Sequence, residues 1–166
     1  MAAEILGELL ITLVAQVAAH AALTGPVREW KLDRFYKGLD EPKKRAFLEL
    51  IALAVHADGV VDARETQWLA RRKEVGPEVG AEIDGAFEHV KTTLRDGLSS
   101  PSAATFLAER VAKFTDDDDR ERIYVALAVL LSPAANITAL AQFRDALAIS
   151  TTKATWIDSK VASGMS

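Results

Sequence analysis

Three carboxylates crowd one short stretch, Asp58-Gly59-Val60-Val61-Asp62-Ala63-Arg64-Glu65. Asp58, Asp62 and Glu65, with backbone carbonyls, are the oxygen donors that a hard divalent cation such as Ca²⁺ takes. Asp58 follows a predicted helix, whose C-terminal end carries partial negative charge. A carboxylate there is disfavoured by about 0.3–1 kcal/mol, and a bound cation would offset that. The same residues also read as local structure. Gly59 suits the left-handed position after a helix. Asp62 and Glu65 have the N-cap and N3 spacing of a capping box, and Asp58 can accept from turn amides. Spacing leaves both readings open. The stretch is too short for an EF-hand and lacks its alternating ligands.

Other chemistry finds less support. The chain has no cysteine, which excludes disulfides, zinc–thiolate sites and thiol nucleophiles. His20, His56 and His89 share no metal-ligand spacing, and His89, beside Glu88, reads as a surface residue. Ser99, Ser100 and Ser132 lie in breaks with no neighbouring base. No glycine-rich phosphate loop is present. Arg71-Arg72-Lys73 closes a predicted helix, where cations suit the dipole. Asp116-Asp117-Asp118-Asp119 opens another, with Asp116–Arg120 and Asp118–Arg122 as expected i,i+4 pairs. Trp30, Trp68 and Trp156 are scattered and read as edge-of-core residues. A net charge of -4 argues against a nucleic-acid partner. No catalytic residue and no enzymatic activity are expected.

The elements that must position the 58–65 turn are helical. The 166 residues are 49% hydrophobic and 27% charged, an ordinary globular composition, and period-2 alternation is nearly absent. The expectation is an all-α single domain over 1–166, a compact bundle of about seven to nine helices. Residues 5–23 form an apolar helix with a polar stripe of Glu8, Thr12, Gln16 and His20. No Lys or Arg precedes it, so the start of a signal peptide is missing and a cytoplasmic location is expected. The alternative is a membrane-associated protein held at a membrane surface by residues 5–23. Further helices are predicted over 27–37, 40–57, 62–74, 77–97, 102–114, 115–131, 137–149 and 151–162, with Asp40, Thr115 and Thr151 as caps. Residues 47–55, interrupted only by Glu49, and 123–131 are apolar all round, which marks two buried central helices.

These two helices carry a weak internal pseudo-repeat. Each ends in a tight turn followed by an amphipathic helix, and 58–65 can be laid over 134–141. Val61 then matches Ile137, and Asp62 matches Thr138.

The run Ala54-Val55-His56-Ala57-Asp58-Gly59-Val60-Val61-Asp62-Ala63-Arg64-Glu65 resembles the signature of TerB-like domains, the family of a tellurite-resistance protein. The likeness is tight over these residues and extends by helix order over about 40–150, with 1–24 left as an N-terminal addition. It implies an all-helical pseudo-repeat with a metal site made from two acidic turns, and Asp58, Asp62 and Glu65 as its ligands here. The second turn of this chain carries Ala134, Ala135 and Ala141 where the family pattern places acidic residues or glycine. The resemblance also implies a non-enzymatic interaction or sensing module in a bacterial stress-response or defence system. Its expected partners are proteins. Separately, the apolar face of residues 5–23, if not in a membrane, must find a partner within its own domain or on a second copy, which leaves a homodimer open.

Overall fold

The computed structural model describes residues 35, 38–57, 77–131 and 137–163. The predicted helices at 5–23 and 62–74, and all of 27–37 except Phe35, lie outside these residues. So do Asp58, Asp62, Glu65, Ala134 and Ala135.

Asp40 starts the first described helix, α1 (Glu41–Val55), because its carboxylate accepts from the Lys43 amide at 3.0 Å. Pro42 sits in the first turn, where no helical partner exists for an amide hydrogen. Every residue from 46 to 55 is buried, Glu49 included. The expected central helix is therefore found. It packs against α2 (Pro77–Thr93), α3 (Ala103–Val111) and α4 (Asp117–Leu131). The second buried helix is α4, which also contacts α5 (Ile137–Ala146) and α6 (Thr151–Ser163). The described residues thus form six α-helices and one 3₁₀ turn, Gly97–Ser99, with no strand among them.

Helical spacing aims the apolar residues inward. Phe87, Val90 and Leu94 do so from α2 and its end, Phe106, Leu107 and Val111 from α3, and Ala154, Ile157 and Val161 from α6. Phe47, Phe87, Phe114 and Phe143 are almost wholly enclosed, each contributing about 1.5–3 kcal/mol. Trp156, expected at the core's edge, is 50% exposed. No described helix is long and apolar enough to cross a membrane.

Several boundaries differ from expectation for local reasons. The helix predicted over 77–97 stops at Thr93 because the chain turns to meet the end of α1. There the Leu98 amide donates to the Ala57 carbonyl at 2.9 Å. Gly97 has φ +59°, and a Cβ on it would overlap the carbonyl oxygens of His56 and Ala57. The cap of α4 is Asp116 rather than Thr115, accepting from the Asp118 amide at 2.8 Å and the Asp119 amide at 3.3 Å. Its carboxylate thus serves the helix end. Arg120 donates instead to the Phe114 carbonyl at 2.7 Å, and Arg122 lies 3.8 Å from Asp119. Neither expected i,i+4 pair is the contact made. Ser150, rather than Thr151, caps α6, accepting from the Lys153 amide at 3.2 Å. The helix predicted over 137–149 ends at Ala146, where Ala148 takes φ 56°. The Ile149 amide then reaches back to the Arg144 carbonyl at 3.0 Å, a Schellman closure made without glycine.

Candidate functional site

The three sequence-predicted ligands, Asp58, Asp62 and Glu65, lie outside the described residues, and the C-cap of the helix that precedes them in sequence is His56. His56, the C-cap of α1, is 4% exposed. Its Nε2 donates to the Arg95 carbonyl at 3.1 Å, and its ring meets Phe87 edge-on. That bond fixes a hydrogen on Nε2. His56 Nδ1 has no hydrogen-bond partner among the described residues. With the Leu98 bond to Ala57, the 95–98 segment holds the C-cap of α1 by two hydrogen bonds, and Gly97 lets the two backbones close on each other. Among the described residues, no group of three or more His, Asp or Glu side chains is arranged to hold a metal ion.

A second constellation lies at the other end of α1. Pro42, Arg45, Ala46 and Glu49 form one stripe of that helix, at i, i+3, i+4 and i+7. With His89 of α2 and the C-terminal end of α3 they line an open groove of about 710 Å³. Glu49 lies at its floor. Its side chain is only 5% exposed, so an unpaired charge there would be untenable. Two arginines neutralise it. Arg45 Nε donates to Oε1 at 2.8 Å, and Arg110 Nε donates to Oε2 at 2.7 Å. His89 Nδ1 lies 3.5 Å from Oε1. Burial works to raise the Glu49 carboxyl, but the hydrogen bonds and charges of Arg45 and Arg110 outweigh it and hold it below its ordinary value.

Each arginine is held in turn. Arg45 Nη2 donates to the Gly85 carbonyl at 3.2 Å, tying α1 to α2. Arg110 Nη1 donates to Glu109 at 2.8 Å, and its guanidinium lies 3.5 Å above the Phe106 ring. His89 packs edge-on against the same ring at 6.0 Å. One carboxylate thereby fixes arginines from two helices, with His89 of a third close by.

Sequence reading missed this site. It took Glu49 as a lone interruption of an apolar run; His89 lies at the surface as expected, 44% exposed, but its nearness to Glu49 was not foreseen. The Arg45–Glu49 spacing was a usable signal, since a carboxylate inside a buried stretch must find a cation. Arg110, 61 positions away, could not be read from local pattern.

A third polar contact joins α4 to α6. The Tyr124 hydroxyl donates to both Asp158 oxygens, at 2.9 and 3.1 Å. Burial, and then the Asp158 carboxylate, push the Tyr124 hydroxyl well above its ordinary value. Burial also raises Asp158, outweighing the Tyr124 hydrogen bond and the charge of Arg144.

Comparisons with protein-family models, with curated proteins and with solved structures find no match to this chain.

Proposed function

We propose that this chain is a non-enzymatic helical interaction or sensing module of the TerB-like type, acting in a bacterial stress-response or defence system. The family assignment rests on the resemblance of residues 54–65, and the pseudo-repeat around two central helices is part of the same reading. Within it, Asp58, Asp62 and Glu65, which follow α1 in sequence, bind a divalent cation.

The observation that carries the interaction reading is the Glu49 clamp beneath an open groove. A buried ion pair is a poor way to gain stability, because apolar residues of similar volume do as well or better. A charged floor that locks Arg45 and Arg110 at a groove makes sense as a preorganised binding face.

Site-specific photo-crosslinking in cells tests the reading. A photoreactive residue at Ala112, in the groove, is compared with one at Thr155, on the exposed face of α6. A defined protein captured from position 112 and not from 155 supports an interaction module. Equal or no capture from the two positions overturns it.

A further inference from the structure

We infer that the groove between α1, α2 and α3 takes an acidic, apolar-faced peptide segment of a partner protein. The inference rests on the interaction-module reading and adds the chemistry of the partner.

Charge is the first argument. The groove is lined by Arg45, Arg110 and Lys113 against Glu49 and Glu109, so it is net positive in a chain of net charge -4. Glu49 is enclosed and both its oxygens are occupied, so the exposed charges an incoming group meets are Arg45 and Lys113 against Glu109, which pairs with Arg110. Arg45 is 46% exposed at its side chain. Lys113 is exposed, and its ammonium makes no ion pair or hydrogen bond among the described residues. A basic rim on an acidic protein steers an acidic partner.

The shape of the floor is the second argument. Pro42, Ala46 and Ala112 supply small apolar contacts between the charged groups. Small side chains let another backbone come close, and three helices converging on one groove suit the helix-in-groove mode of recognition. The arginines argue against a small free anion. Arg45 already serves Glu49 and Gly85, and Arg110 serves Glu49, Glu109 and Phe106. Neither offers an unoccupied fork for a phosphate. Apolar contact must hold the ligand, while Lys113 and the open edge of Arg45 select its charge.

The test pans a display library of random dodecapeptides on the full chain and counter-selects on Ala112→Trp, which fills the groove from an exposed position. Selected peptides are synthesised and titrated by fluorescence anisotropy. The inference expects a pool enriched in Asp and Glu, with apolar residues at helical spacing. It also expects binding that weakens with added salt and roughly tenfold on Lys113→Glu. Lys113→Glu changes only an exposed side chain, so it decides the matter even if Ala112→Trp fails to fold. A pool lost on Ala112→Trp but lacking acidic bias overturns the peptide chemistry and leaves the interaction reading standing. An empty pool, or affinity unchanged by Lys113→Glu, also overturns the inference. So does concentration-dependent dimerisation abolished by Ala112→Trp, which would make a second copy the occupant. Absence of crosslinking from position 112 would remove the parent reading as well.

Discussion

Glu49→Gln is the sharpest probe of the clamp, because the amide keeps the shape of the carboxylate and removes its charge. The amide oxygen can still accept from one arginine, but the amide nitrogen meets the other donor against donor. One charge-assisted bond is lost, worth about 1.5–3 kcal/mol. Arg110, only 13% exposed, is then left partly unpaired and adds to the cost. We expect a destabilisation of about 3 kcal/mol in urea unfolding at neutral pH, with an unchanged slope. Replacing both ends of the pair, as Glu49→Met with Arg110→Met, should bring stability back to within about 1 kcal/mol of wild type. The pH dependence has a definite sign. Glu49 is held below its ordinary value of 4.5, so its contribution is complete above that pH and fades as pH falls through the lower folded value. Asp158, raised by burial, works in the opposite sense, but it is common to wild type and variant and cancels in the difference. The gap between wild type and Glu49→Gln should therefore narrow only below about pH 4.5. A cost under about 1 kcal/mol, or a double variant no more stable than Glu49→Gln, would refute the argument that two arginines neutralise a buried charge.

Other substitutions address the fold and the predicted turn. Gly97→Ala should cost about 2 kcal/mol or more in chemical denaturation, since it adds left-handed strain to an overlap with the carbonyls of His56 and Ala57. Ala148→Gly should stabilise by about 0.5–1 kcal/mol, because it relieves φ 56° at the closure of α5; thermal melting reads it directly. Tyr124→Phe should cost about 1–2 kcal/mol in urea unfolding by leaving Asp158 without its hydroxyl donor. Calorimetric titration of chelator-treated protein with Ca²⁺, Mg²⁺, Mn²⁺ and Zn²⁺ should show binding that Asp58→Asn abolishes. Heat unaffected by that variant would leave Asp58, Asp62 and Glu65 as turn and capping residues.

The all-α class and the two central helices could be read in advance because they depend on periodicity, a local property. Residues 47–55, but for Glu49, and 123–131 are apolar on every side, and a helix of that kind can only be enclosed. Asp40 was equally legible, since its cap follows from one residue and the amide three positions on. Thr115 and Thr151 failed as caps because a better acceptor, Asp116 or Ser150, stood one position away. Local sequence does not say which of two adjacent acceptors will face the helix end. The stop at Thr93 was hidden for a different reason. It is imposed by the residues just after α1, some forty positions earlier: the Ala57 carbonyl takes the Leu98 amide, and the close approach of the His56 and Ala57 carbonyls leaves room only for glycine at 97. The groove combines both kinds of information. Arg45 and Glu49 are helical neighbours and could have been paired on paper. His89 and Arg110 reach the same carboxylate only because α2 and α3 both pack against α1. Periodicity tells which face of a helix turns inward and is silent about which other face it will meet. A single Glu within an otherwise apolar run is the place where that silence is informative, because Arg45 is the one cation local sequence offers and enclosing the charge calls for a second from elsewhere in the fold.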